Sequence, residues 1–195
     1  MGIYIKLKML FYFVISQIKY KILMRKFGIK SRIINPMLIT NYKNIEIGDD
    51  VFIRDGLRLE VVNPENSGVV ISIGNNVNIE QNVHIVAHNR IVIGNNVSIT
   101  GGCSIVDIEH PYDDIYSETK IGSRISEIEK NVIIGDDSFI GFGTHINPGV
   151  SIGKYCIIGA RSVVTKDIPD YCVAAGNPAK IIKKYDFELK EWIKV

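Results

Sequence analysis

Cysteine is scarce in this 195-residue chain. Cys103, Cys156 and Cys172 are an odd number with no short spacing between them, which excludes a disulfide framework and the paired zinc motifs. Long hydrophobic runs are missing too. The strongest, residues 9–15, lies in an uncharged stretch between Lys8 and Lys19, far short of the roughly 20 residues a membrane-spanning helix needs. Lys6 and Lys8 precede that stretch, but no small-x-small cleavage site follows. A secretory signal is therefore not indicated, and the expected location is cytoplasmic. Acidic residues are absent from the first 45 positions, which hold nine basic ones. The rest of the chain holds 14 basic and 21 acidic residues, a net of −7. Such a body is a poor partner for a polyanion and argues against nucleic-acid binding. At 46% hydrophobic and 23% charged residues the chain is globular rather than disordered, and its length suits one domain.

What is present in abundance is a repeat. From Ile47 an aliphatic residue recurs every six positions. The sets are Ile47, Ile53 and Leu59, then Ile73, Ile79 and Ile85, then Ile93, Ile99 and Ile105. The last is Ile134, Ile140, Ile146, Ile152, Ile158 and Val164. A period of six is neither helical nor simple alternation. It suits short flat strands joined by corners, three hexads to each turn of a parallel β-solenoid with the leading aliphatic inward. Gly-Asn-Asn and Gly-Asp-Asp follow many leaders, as at residues 74–76, 94–96, 48–50 and 135–137. These residues tolerate the left-handed backbone that tight corners need. The register breaks at residues 60–72, 86–92 and 111–131, and such insertions leave a solenoid as loops. Solenoid ends need caps. Residues 3–27 read as a helix, with Ile3, Leu7, Leu10, Val14 and Ile18 on one stripe, and residues 180–194 as a short C-terminal helix. The expected organisation is a basic amphipathic helix over 1–30, a parallel β-helix over 31–179 with loop 111–131, and a C-terminal helix over 180–195.

Two stretches add a resemblance to these hexads. Residues 93–112, IGNNVSITGGCSIVDIEHPY, resemble the catalytic coil of galactoside and maltose O-acetyltransferases, with a His-Pro after the same hexads. Residues 139–183, FIGFGTHINPGVSIGKYCIIGARSVVTKDIPDYCVAAGNPAKIIK, resemble their acetyl-CoA half. The similarity covers roughly residues 45–185 and suggests a hexapeptide-repeat acyltransferase, including polysaccharide O-acetyltransferases. It implies an all-β fold, a left-handed parallel β-helix, since the hexad period alone sets no hand. It implies acetyl-CoA as co-substrate, no required metal, and a homotrimer with active sites between subunits.

His110 ends the last hexad before the long loop, and acyl transfer to a hydroxyl needs a base of near-neutral pKa. The resemblance makes it the general base, with Asp107 and Glu109 as candidates to orient its ring. It places Phe142, Ala160, Thr165, Lys166, Lys180 and Lys183 at the CoA site, the lysines as point charges for phosphates. Phe139 and Phe142 stand where the galactoside branch has Trp and Ser, and Lys stands where it has Arg. The acceptor site departs further. Glu80 and His88 occupy the places of that branch's sugar-binding Asn and Asp, and the longer loop adds Tyr112 and Asp113, with Asp114 and Tyr116. Cys103, seven residues before His110, sits at an inward small position and reads as packing rather than as a nucleophile. His84, His88, His110 and His145 lack the spacing of the three-histidine zinc site of gamma carbonic anhydrases.

The resulting reading is an acetyl-CoA-dependent O-acetyltransferase acting on a sugar or cell-surface saccharide. The alternatives are N-acetylation of a nucleotide-linked amino sugar and a non-catalytic scaffold. The basic N-terminal helix is read either as a contact with an anionic membrane surface, placing the enzyme peripherally on its inner face, or as a cap on the first coil.

Overall fold

The computed structural model describes residues 2–62 and 68–195. The expected insertion at 60–72 therefore falls partly outside the described residues. Among these residues the strands form three sheets, of six, nine and six strands, that make the faces of a triangular prism. Face A includes Ile45–Ile47, Ile71–Ile73, Ile91–Ile93 and Val132–Ile134. Face B includes Phe52–Ile53, Asn78–Ile79, Ser98–Ile99, Phe139–Ile140 and Ile157–Ile158. Face C includes Arg58–Val61, His84–Ala87, Ser104–Val106, His145–Ile146 and Val163–Val164. Within the solenoid, pairing is parallel between successive coils.

The hexad leaders become three vertical columns. Ile47, Ile73, Ile93, Ile134 and Ile152 stack on face A. Ile53, Ile79, Ile99, Ile140 and Ile158 stack on face B. Leu59, Ile85, Ile105, Ile146 and Val164 stack on face C. All are buried, and each such side chain contributes about 1.5–3 kcal/mol relative to exposure. Cys103, Cys156 and Cys172 fill small inward positions as free thiols.

Corner chemistry follows the expected pattern. Asp50, Asn76, Asn96 and Asp137 take positive φ of 55°, 54°, 57° and 61°. The residue before each forms a ladder: the amide of Asp49 donates to Asn75 Oδ1, that of Asn75 to Asn95 Oδ1, and that of Asn95 to Asp136 Oδ1. The preceding glycines stack so closely that a Cβ on Gly48 would lie 2.6 Å from the Gly74 carbonyl oxygen.

Two boundaries differ from expectation. The N-terminal helix, α1, spans Ile3–Leu23. Lys26–Phe27 already pairs with Glu46 and Ile47 as the first strand of face A, because Phe27 joins the core. The stripe Ile3, Leu7, Leu10, Val14 and Ile18 does not cover the first coil; it faces solvent, and Ser16, Tyr20 and Met24 face inward instead. The C-terminal helix is corrected outright. Ala179–Asp186 and Glu191–Lys194 form an antiparallel β-hairpin on the last strand of face B, Cys172–Gly176. That strand leaves an open edge, and an edge is best covered by strand pairing. The β-branched Ile181 and Ile182 favour it, and Ile181 packs against the core.

Candidate active site

His110 lies where the chain leaves face C for face A, at the start of the long loop, and is exposed. Its Nδ1 is 2.7 Å from the main-chain carbonyl oxygen of Arg124. A carbonyl oxygen only accepts, so Nδ1 carries the proton and donates it. Nε2 then keeps its lone pair and is the ring's basic atom.

The loop is shaped to deliver that carbonyl. Arg124 Nε donates to the carbonyl of Thr119 at 2.9 Å. Nη1 donates to those of Asp114 at 2.9 Å and Pro111 at 3.4 Å, and Nη2 to that of Ser117 at 3.3 Å. One guanidinium thus gathers residues 111–119 around itself, while its own main chain holds the imidazole. The amide of Ser126 also donates to the Glu109 carbonyl, closing the loop's base. Arg124 is a residue that sequence reasoning missed. A single arginine in a polar loop has no signature.

Neither acid beside His110 orients its ring. Asp107 is fully buried and accepts from the amides of His88, Asn89 and Arg90 at 2.6, 2.9 and 2.7 Å. Burial pushes its carboxyl above the usual range, against the pull of those three donors. Its work is to hold the 88–90 turn against the strand that leads to His110. Glu109 pairs with Lys130 at 3.7 Å.

Two clefts flank His110. One, of about 280 Å³, brings it together with Tyr112 and Asp113, beside Ser126 and Ile128. The other, of about 440 Å³, has aliphatic walls from Val62, Val86, Val106, Ile108 and Ile125, with Arg58 at its edge. Arg58 is itself held by Glu60, with Nε 2.8 Å from Oε2. The remaining two expected acceptor residues line neither cleft. Glu80 pairs with Arg54 at 2.8 Å. His88 is bound through its amide to Asp107, and its Nδ1 is shielded without a hydrogen-bond partner among the described residues.

The expected CoA residues fall in two places. Thr165 and Lys166 follow the face C strand Val163–Val164, on the same prism edge as His110 and nearer the C-terminal end. Phe142 and Ala160 lie on the edge between faces B and C, where the Phe142 ring covers Gly101 and Gly102. Lys180 and Lys183 extend that second group. Three apart on a regular strand, they would point to opposite faces. The bulge opposite Val173 and Ala174 inserts Ile182 as an extra residue, so Lys180 pairs with Ala175 and Lys183 with Val173. Both lysines therefore share the outward side of face B.

Other titratable groups are spectators. Burial pushes the thiols of Cys103 and Cys156 up, the wrong direction for a nucleophile. His145 aligns with Ser104 and His84 on the outer side of face C, and burial holds it below the ordinary histidine range. No group of three or more His, Cys, Asp or Glu side chains placed to hold a metal occurs among the described residues.

The profile of the bacterial transferase hexapeptide family (six repeats) matches residues 131–166. The putative lipopolysaccharide biosynthesis O-acetyl transferase WbbJ of Escherichia coli K12 is 34% identical over 178 residues, 89% of each chain. A solved galactoside acetyltransferase in complex with coenzyme A is 31% identical, covering 76% of this chain and 71% of that one, with a TM-score of 0.61. AntD, an N-acyltransferase from Bacillus cereus solved with dTDP and coenzyme A, shares the fold at 20% identity and a TM-score of 0.72, over 87% of this chain and 88% of that one. Hexad columns, His-Pro break and near-full-length similarity converge, and the chain belongs to the hexapeptide-repeat acyltransferases, enzymes built on a left-handed parallel β-helix.

Proposed function

We propose that this protein transfers the acetyl group of acetyl-CoA to a hydroxyl of a sugar in a cell-surface saccharide. The observation that carries the reading is the 2.7 Å contact between His110 Nδ1 and the Arg124 carbonyl. It leaves Nε2 as a base at the mouth of two clefts. In this scheme Nε2 takes the acceptor's hydroxyl proton while the oxygen attacks the thioester carbonyl. The tetrahedral adduct then expels the CoA sulfur, which receives the proton from the imidazolium.

The cleft walls suit such an acceptor. Tyr112 and Asp113 present polar groups for hydroxyls, and the aliphatic wall from Val62 to Ile125 suits an apolar sugar face. The distribution of the other residues supports a homotrimer. His110, Thr165 and Lys166 lie on one edge of the prism, whereas Phe142, Ala160, Lys180 and Lys183 lie on another edge and its adjoining face. A single subunit separates these groups by the width of face C. Packing the first edge of one subunit on the second edge of its neighbour reunites them. Exposed Phe139, Phe142 and Ile157 give that neighbour an apolar surface to cover.

The test is release of CoA thiol by purified protein across saccharides, with nucleotide-linked amino sugars in the same panel. His110→Ala should lower kcat by roughly 10²–10⁴-fold on the accepted substrate. Near-normal turnover in that variant would remove His110 from the reaction. Turnover confined to the amino sugars would replace O-transfer by N-transfer.

A further inference from the structure

Helix α1 uses only one side to cap the solenoid. Ser16 Oγ donates to the Ile33 carbonyl and accepts from the Ile33 amide, at 3.2 and 3.0 Å. Gln17 Nε2 donates to the carbonyls of Gly28 and Ser31, at 3.1 and 2.8 Å. Tyr20 and Met24 enter the core. The docked face therefore already satisfies the first coil.

The opposite face is the anomaly. Ile3, Leu7, Leu10, Val14 and Ile18 are 79, 60, 58, 46 and 60% exposed. At helical spacing they form one row, and Tyr4, Phe11, Ile15 and Ile22, all exposed, form the row beside it. Single exposed apolar residues are ordinary; two contiguous rows on one helix mark an interaction surface. Lys6 and Lys19 border these rows and Lys21 stands at their C-terminal end, while Lys8 pairs with Asp55 of the solenoid at 3.6 Å.

Charge decides what covers this face. No acidic residue occurs before Glu46, and nine basic ones do. Lys8, Arg25 and Lys30 pair with Asp55, Glu46 and Asp50 of the solenoid. A second copy docked helix to helix would still bring Lys6, Lys19 and Lys21 of both chains together with no acid on either helix to offset them. An anionic lipid surface supplies that counter-charge and takes the aliphatic rows as well. Among the described residues no helix is long and apolar enough to cross a membrane, so the contact is one of lying in the interface.

We propose that the outer face of α1 lies flat on an anionic membrane surface, with its apolar rows at the acyl boundary and Lys6, Lys19 and Lys21 among the headgroups. The inference does not depend on the identity of the acceptor. It is tested with the full-length protein and two sets of vesicles, phosphatidylcholine alone and phosphatidylcholine with phosphatidylglycerol, by flotation at low salt. Binding is expected only to the second set, and it should weaken as salt is raised. Lys6→Glu with Lys19→Glu should weaken it by roughly tenfold or more. Leu7→Ser with Ile18→Ser should weaken it to a similar degree with little change in the melting temperature, because both side chains are 60% exposed. Failure of the wild-type protein to float with phosphatidylglycerol vesicles would overturn the proposal. So would a serine variant that floats normally but changes its oligomeric state, which would assign this face to protein contact.

Discussion

Replacing Arg124 by alanine tests whether the loop, and not the imidazole alone, makes the base. The substitution leaves the residue's carbonyl in the chain but removes the guanidinium that fixes where it lies. Two of its four hydrogen bonds are short, at 2.9 Å to Thr119 and Asp114. Counting only these at about 1 kcal/mol each, the ordered loop loses about 2 kcal/mol relative to its open forms. That corresponds to a roughly 30-fold fall in the population that presents the carbonyl to His110. Steady-state CoA release should show kcat down by about 30-fold with little change in the KM for acetyl-CoA, since the four bonds lost are all made within residues 111–124. The melting temperature should move little, because the loop is outside the hexad columns. Arg124→Lys should not restore activity, as an ammonium cannot span four carbonyls as a planar fork does. A kcat within twofold of wild type for Arg124→Ala would refute the positioning role. So would full rescue by lysine.

Lys166→Ala and Lys180→Ala should each raise the KM for acetyl-CoA more than they lower kcat, because phosphate contacts are made equally in ground and transition states. A fall in kcat at constant KM would place either lysine in the chemistry instead. Asp107→Asn should destabilise the protein by about 1–3 kcal/mol in chemical denaturation, because an amide cannot accept from all three backbone donors. The pH dependence carries a sign as well. Burial holds the Asp107 pKa above its unfolded value of about 3.9. Its contribution is therefore fully present below that pH and is lost as pH rises through the folded pKa. The wild-type advantage over the asparagine variant should widen as the medium is made acidic; an advantage that shrinks on acidification would contradict it.

The hexads were legible because their period leaves the buried side no choice. An inward leader every sixth residue produces three columns, and Ile47, Ile53 and Leu59 took inward places as read. They do so in the second turn, stacked on an earlier turn of Phe27, Ile33 and Ile39 that a hexad count from Ile47 leaves out. The place of His110, at the point where the long loop leaves the solenoid, was legible because it ends a hexad run and stands before proline. The ends were harder. Residues 180–194 read as helix in isolation, and only the open edge of Cys172–Gly176, a tertiary feature, turns them into a strand hairpin. The stripe on α1 was correctly periodic but could not tell which of two apolar sides would face the coil; Ser16 and Gln17, unremarkable in sequence, decided that by bonding to the first turn. The partner of His110 was invisible for a different reason. It is a main-chain carbonyl, which every residue possesses, and its position depends on a fork of contacts made within the loop.

The bulge at Ile182 has a consequence for how the molecule comes apart. In a fold where each coil touches only its neighbours, opening starts at the termini and moves inward. Lys180 and Lys183 ride on the outermost hairpin, whereas His110 sits several coils deeper. Under mild denaturation the two halves of the proposed site should therefore fail in sequence, affinity for the donor first and proton transfer later. A bound donor would work in the opposite sense, acting as a molecular end-stop that suppresses fraying at that terminus. Amide hydrogen exchange across residues 172–194 would then report occupancy of a site whose base lies on a different edge of the prism.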